Sequence, residues 1–185
     1  NDKTDLTLCG HKVIYNMYDA LCKEFPLHVT KALLGQAFGN DINSYTFKNH
    51  SLENYSEFQY KPYKIVIITS IHGYEQGSAF TAAQFFDMLM HSEDKSLEYL
   101  KRNVQFEVVP VLNPWGFDHN DRKNGNSVDL NRNFEKGFSG EKDKESEIYP
   151  GEKPLSEVET RLIDGFLEKH RDAKVVLDYH NIYGG

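Results

Sequence analysis

The hydrophobic positions near the start of the chain recur at helical spacing. Over residues 13–25, apolar side chains come at steps of four, at Val13, Met17 and Leu21. This spacing lines one face of an α-helix. We expect the helix to end before Pro26, because proline cannot continue a helical hydrogen-bond ladder.

Short apolar runs farther along the chain predict β-strands. Over residues 28–47 the pattern is β-like and breaks at residues 38–41, which predicts two strands joined by a turn. The runs at residues 65–68 and 175–177 are wholly apolar and residues 105–112 are largely so, and we interpret all three as buried strands. These runs supply the strands of a sheet.

Helical patterns lie between the predicted buried strands. Apolar residues recur at helical steps from Ala79 to Met90, and Ser156 to Glu159 has the form of a capping box that begins another helix. Residues 113–151 are rich in Gly, Asn, Asp, Lys and Ser, and a loop of that length is either disordered or functional. Helices alternating with short apolar strands predict an α/β fold with a mixed, mostly parallel β-sheet and helices on both faces. We expect residues 1–185 to form one domain.

Composition excludes several classes of protein. The 185 residues are 39% hydrophobic and 26% charged, which is the profile of a globular chain. The formal charge is −7 and no long block of Lys and Arg occurs, so no nucleic-acid partner is expected. No apolar run approaches the roughly 18 residues that a transmembrane helix needs.

The cellular compartment is weakly determined by the sequence. Cys9 and Cys22 are too few for a structural zinc site and form either one disulfide or two free thiols. The chain opens at Asn1 without an apolar leader, which fits a mature secreted protein and equally a trimmed chain. We favour a location outside the cytoplasm over a cytoplasmic one.

Candidate metal ligands follow the ends of predicted strands. His72 and Glu75 come after the run at residues 65–68, and His180 comes after the run at residues 175–177. In open α/β sheets, ligands bind beyond the carboxyl ends of the strands, so these side chains are expected to meet. Two imidazoles and one carboxylate suit Zn²⁺ and leave a fourth position for water or substrate. Gly73 is interpreted as permitting an unusual backbone between the first two ligands.

The long polar segment holds a second cluster of candidate residues. Asn113 begins the run Asn-Pro-Trp-Gly-Phe, and the run Val-Asp-Leu-Asn-Arg-Asn-Phe follows at residues 128–134. An arginine presents a planar fork suited to a carboxylate, and an asparagine amide can donate beside it. Composition alone favours a solvated loop with turn-forming asparagines.

Taken in order, these motifs resemble the zinc carboxypeptidase family, the relatives of carboxypeptidases A and B. The matching set is His-x-x-Glu, Asn-Pro-x-Gly-Phe, an arginine nine residues before Asn131, Asp-Leu-Asn-Arg-Asn-Phe, and a strand ending in histidine. The resemblance spans nearly the whole chain.

The resemblance implies a zinc metallocarboxypeptidase that hydrolyses the C-terminal peptide bond of a peptide or cell-wall peptide by a zinc-activated water. Its partner would be a peptide with a free C-terminal carboxylate. By this resemblance His72, Glu75 and His180 would bind one Zn²⁺ ion, and Asp129 would accept a hydrogen bond from His72. Arg122 would stabilise the oxyanion of the tetrahedral intermediate. Asn131 and Arg132 would bind the terminal carboxylate of the substrate.

One part of the family pattern is missing. The family's general-base glutamate lies on a strand well beyond the third ligand, and none of the five residues after His180 is a glutamate. We expect the chain to be part of a longer active enzyme, truncated at its C-terminus. The alternative is an inactive zinc- or peptide-binding relative. The deacylase branch of the superfamily is disfavoured, because Asn133 and Phe134 follow Arg132 in the peptidase-like form.

Overall fold

The strands form one five-stranded mixed sheet in the order β1-β2-β4-β3-β5. This computed structural model describes residues 10–48 and 62–181, so the question of whether Cys9 pairs with Cys22 lies outside the described residues. The strands are β1 (Val29–Ala37), β2 (Asn40–Phe47), β3 (Tyr63–Thr69), β4 (Val104–Val109) and β5 (Val175–Tyr179).

The predicted mixed sheet is confirmed. The pairs β1–β2 and β2–β4 are antiparallel, whereas β3 runs parallel to both β4 and β5. Two of the four pairings are therefore parallel. They join the three strands that precede the candidate site residues, so the carboxyl ends of these strands lie at one edge of the sheet.

Helices cover both faces of the sheet, as predicted. They are α1 (His11–Glu24), α2 (Gln76–His91), α3 (Lys95–Asn103), α4 (Pro114–His119) and α5 (Val158–Lys169). The apolar faces of α1 and α2 pack with Ile67 in one buried cluster, and α5 packs with Val66 and Ile68 in the other. The alternation of side chains along β3 divides its residues between the two layers. Among the described residues, no helix is long and apolar enough to span a membrane.

Helix α3 was not predicted from the pattern of apolar residues. None of its nine residues is fully buried, but Leu97 and Leu100, three positions apart, are partly buried and pack against the cluster that contains Ile67. Its signal is the cap at Asp94, whose carboxylate accepts hydrogen bonds from the backbone N–H groups of Ser96 and Leu97.

The start of α5 differs from the predicted capping box. The N-cap residue is Glu157, and its side chain makes no capping hydrogen bond. Asn133 supplies the cap instead, because its Oδ1 atom accepts from the Glu157 backbone N–H at 3.2 Å and from the Thr160 hydroxyl at 2.6 Å. A residue of the long polar segment thus fixes that segment to the helix behind it.

The strand at residues 175–177 is not buried among the described residues, in contrast to the prediction. Val175, Val176 and Leu177 are 50%, 53% and 44% exposed, whereas Val66 of β3 is fully buried. Within the described part of the chain, β5 is an edge strand paired with β3 alone. An apolar composition therefore identified the strand correctly but not its surroundings.

Candidate metal centre

The three predicted metal ligands meet at the carboxyl ends of β3 and β5. One ligand atom from each of His72, Glu75 and His180 lies within 4.8 Å of the others, a group that could hold a metal ion. Glu75 stands between the two imidazoles, with Oε1 3.0 Å from His72 Nδ1 and Oε2 2.8 Å from His180 Nδ1. The Nδ1 atoms of both rings therefore face one carboxylate.

The loop that carries the first two ligands is held by close packing at Gly73. A Cβ atom on this residue would lie 1.9 Å from the carbonyl carbon of Gly116 in α4. Its φ is not in the left-handed region, so the interpretation of Gly73 as a site of unusual backbone is wrong. Glycine is required there because two backbone segments touch, and this contact places His72 and Glu75 beside helix α4.

Each imidazole contacts a second carboxylate through its other nitrogen. His72 Nε2 lies 3.2 Å from Asp129 Oδ1, as the resemblance implied. His180 Nε2 lies 3.0 Å from Asp178 Oδ2. Asp178 was missed from the sequence, although its spacing carried a signal, since residues two apart on a strand point to the same face.

Asp129 joins the metal site to the predicted oxyanion residue. Its carboxylate is fully buried and accepts from Arg122 through Nε at 3.1 Å and Nη2 at 2.8 Å, and from the Asn131 backbone N–H at 3.0 Å. Burial alone would raise the pKa of Asp129, but the hydrogen bonds with His72 and Arg122 lower it overall. Asp129 is thus held as a carboxylate able to accept from His72.

Asn131 and Arg132 lie next to Asp129 in a short 3-10 turn, Leu130–Arg132. Both side chains are partly exposed. The Arg132 guanidinium donates to the Asn131 carbonyl oxygen at 3.1 Å. The structure thus places them beside the metal site's outer carboxylate, while their role toward a substrate stays a prediction.

The charges around His180 favour its protonated form when no cation is bound. Partial burial lowers the pKa of His180, but the carboxylates of Asp178 and Glu75 outweigh this and raise it overall. The ring lies between negative groups at both nitrogens. A site that stabilises positive charge in this way has the electrostatic character of a cation site, and its two imidazoles and one carboxylate are a donor set that suits Zn²⁺.

Comparison with known proteins gives one consistent family. The family model described as zinc carboxypeptidase matches residues 14–183. Carboxypeptidase A4 of Mus musculus is 26% identical over 92% of this chain, and a zinc carboxypeptidase of Simulium vittatum is 29% identical over 91%. The crystal structure of carboxypeptidase A from Helicoverpa armigera covers 95% of the chain with a TM-score of 0.77 at 23% identity, which shows the shared fold.

The matches extend over part of each relative. The aligned regions amount to 44% of the Mus musculus protein, 59% of the Simulium vittatum protein and 46% of the Helicoverpa armigera chain. The chain therefore spans about half the length of the relatives that it matches.

Proposed function

This chain belongs to the zinc carboxypeptidase family, and we propose that it acts as a zinc metallocarboxypeptidase that hydrolyses the C-terminal peptide bond of a peptide or cell-wall peptide. The meeting of His72, Glu75 and His180 within 4.8 Å is the single observation that carries the proposal. It joins residues up to 108 positions apart in a donor set that leaves one position open for water or substrate.

The local contacts suit a divalent cation bound by the two Nδ1 atoms and Glu75. In its absence, the contact of each Nδ1 atom with a Glu75 oxygen is a hydrogen bond of 3.0 or 2.8 Å, with one proton between the two atoms. A cation would take the place of these two protons, while Asp129 and Asp178 accept from the Nε2–H groups. Bound zinc would supply a water of lowered pKa and a Lewis acid for the scissile carbonyl.

Arg122 is the chain's own group for meeting charge on the substrate. Asp129 accepts from its Nε and Nη2 atoms and so fixes the plane of the guanidinium. The Nη1 atom, which contacts the Tyr74 hydroxyl at 3.3 Å, is the nitrogen proposed to donate to the developing oxyanion. Donors fixed in advance are effective because they need no reorganisation during the reaction.

Asn131 and Arg132 are proposed to bind the substrate's terminal carboxylate. Their 3-10 turn is anchored to Asp129, so the clamp would keep a fixed relation to the metal ligands. Binding the terminal carboxylate would orient the last peptide bond at the metal and make the enzyme an exopeptidase. Location outside the cytoplasm stays a prediction.

The second candidate function is a zinc- or peptide-binding relative without catalytic activity. It is kept because the described residues bring candidate metal ligands together, which supports binding without by itself establishing turnover. Hydrolysis of a peptide with a free C-terminus by the zinc-loaded protein would exclude this alternative. Zinc and peptide binding without turnover would favour it.

The carboxylate clamp is tested with Arg132→Ala. We expect affinity for a peptide with a free C-terminus to fall about 10- to 100-fold, the loss typical of removing a charge-assisted hydrogen bond. Affinity for the same peptide with an amidated C-terminus should change little. Calorimetric titration of both peptides measures the difference.

Arg171→Ala is the matched control, because Arg171 is an exposed arginine that pairs with Glu168 at the end of α5. It should leave both affinities unchanged. An equal loss on the free and amidated peptides in Arg132→Ala would contradict the clamp.

A further inference from the structure

Asp178 contacts the third predicted metal ligand on the side away from the metal position. Its Oδ2 atom lies 3.0 Å from His180 Nε2, while His180 Nδ1 faces Glu75 at 2.8 Å. Asp178 belongs to β5 and His180 directly follows it. Because side chains two residues apart on a strand share a face, this contact follows from the strand geometry.

We propose that Asp178 is a positioning residue that holds His180 with its Nδ1 atom directed at the bound metal. The inference rests on the proposed function, because it presupposes that His180 binds zinc. A hydrogen bond to Asp178 keeps the ring proton on Nε2 and leaves the Nδ1 lone pair for the cation. The same bond restricts rotation of the ring.

The arrangement repeats the one at the first ligand. His72 also lies between Glu75 at Nδ1 and an aspartate at Nε2. Two imidazoles that follow different strands thus present the same nitrogen, Nδ1, to the central carboxylate. This repetition is what a site needs when both Nδ1 atoms must face one ion.

The surroundings of His180 explain why a local partner is needed there. The His72 side chain is 4% exposed, so packing alone restricts its ring, whereas the His180 side chain is 29% exposed. Water could hydrogen-bond either nitrogen of an exposed ring and would not select one orientation. The contact with Asp178 fixes the orientation of the His180 ring, whereas packing fixes that of the His72 ring.

The competing interpretation is an incidental contact between two polar groups on an edge strand. Exposed ion pairs contribute little to stability, and the Asp178 side chain is 38% exposed. The two interpretations differ in what they predict for zinc affinity, since an incidental contact would leave it unchanged.

The experiment compares Asp178→Ala and Asp178→Asn with Asp172→Ala by zinc titration against a competing chelator. Asp172 is a matched control, because it is an exposed aspartate just before β5 that pairs with Lys64 at 2.7 Å. We expect Asp178→Ala to weaken zinc binding about 10- to 100-fold, the effect usual for losing a hydrogen-bond partner of a metal-bound histidine. Asp178→Asn should lose less, because an amide oxygen can still accept from Nε2–H.

The thermal unfolding of the metal-free variants separates positioning from folding. A positioning role leaves the metal-free midpoint of Asp178→Ala equal to that of Asp172→Ala. A much lower midpoint in Asp178→Ala would overturn the inference in favour of a structural role. Zinc affinity within about twofold of the wild type would also overturn it, as expected for a surface ion pair of negligible energy. A wild-type protein that binds no zinc would instead refute the proposed function.

Discussion

The two sides of the candidate metal site are built differently. His72 and Glu75 lie after the central strand β3 and are 3% and 6% exposed, and their loop packs on α4 through Gly73. His180 follows β5, an edge strand among the described residues, whose apolar side chains are about half exposed. The first side is fixed by burial and backbone contact, and the second by β3–β5 pairing and hydrogen bonds to two carboxylates.

This difference shows that the ligands of one candidate metal site can be held in two ways. Close-packed atoms hold a ligand because any movement creates a clash or a cavity. An exposed ligand lacks that restraint, so its orientation depends on a few specific bonds. The side around His180 should therefore tolerate substitutions in its strand better than the side around His72, although the proposed zinc site uses both.

The largest expected effect comes from removing either histidine. His72→Ala and His180→Ala should both abolish zinc retention, measured by metal analysis of the purified proteins, because each removes one of three ligands. The metal-free proteins should differ. His72→Ala removes one hydrogen-bond partner from each of the buried carboxylates Asp129 and Glu75 and should cost about 1–3 kcal/mol of unfolding free energy, whereas His180→Ala should cost less than about 1 kcal/mol because its site is partly exposed.

Denaturant unfolding of the metal-free variants checks this contrast. Near-stoichiometric zinc in either variant would contradict the ligand assignment. Equal losses of stability would show that the two sides are packed alike.

A pair of identical substitutions tests the packing of the two strands directly. Val66 in β3 and Val176 in β5 are register partners, yet Val66 is fully buried and Val176 is 53% exposed. Val66→Ala should lower the unfolding free energy by about 2 kcal/mol, because it removes two buried methyl groups. Val176→Ala should change it by no more than about 0.5 kcal/mol. Similar losses in urea unfolding would mean that β5 is covered in solution.

The smallest expected effect is a change of the unfolding free energy with pH, caused by the buried side chain of Glu159. Asn124 donates to Glu157 at 2.9 Å and to Glu159 at 3.3 Å, and it precedes the turn that carries Asp129. Burial raises the pKa of Glu159 to about 7 from 4.5. The folded protein therefore retains a proton that the unfolded chain has already lost, so stability falls as the pH rises through 7. The expected loss between pH 6 and pH 8 is about 1 kcal/mol.

Thermal unfolding of the wild type and Glu159→Gln at the two pH values measures this loss. The glutamine side chain does not titrate, so the variant should lose less stability on going to pH 8. Glu168→Gln, at an exposed position on the same helix, should behave like the wild type. A wild-type protein that gains stability from pH 6 to pH 8 would show that Glu159 does not keep its proton in this window.

The elements with a local signal were predicted well. Helix α1 lies at His11–Glu24, close to the predicted residues 13–25, and the hairpin of β1 and β2 turns at residues 38 and 39. A stripe of apolar residues or a turn is encoded by neighbours in the sequence, so a pattern reveals it. Helix α3 is short, and its two core-facing apolar residues, Leu97 and Leu100, were overlooked in the sequence.

Contacts between distant segments were predicted less completely. Asn133 caps α5 in place of the expected Ser156 and Glu159, and Gly73 is needed for contact with Gly116 rather than for its own backbone conformation. Asp178 was not recognised as a partner of His180. Each of these depends on which surfaces the fold brings together, and no local periodicity records that.

The sequence by itself determined the succession along the chain of the five strands, of the helices other than α3 and α4, and of the candidate ligands, together with the motifs by which the chain is recognised as a zinc carboxypeptidase relative. The tertiary structure decided that Glu75 contacts His180 across 105 positions, that one side of the site is buried, and that β5 is exposed in the described residues. The physical reason is that spacing along a chain reflects interactions within a turn or a strand. Proximity across the sheet depends on the pairing of β3 with β5, which places Thr69 beside Tyr179 and so brings the following loops together.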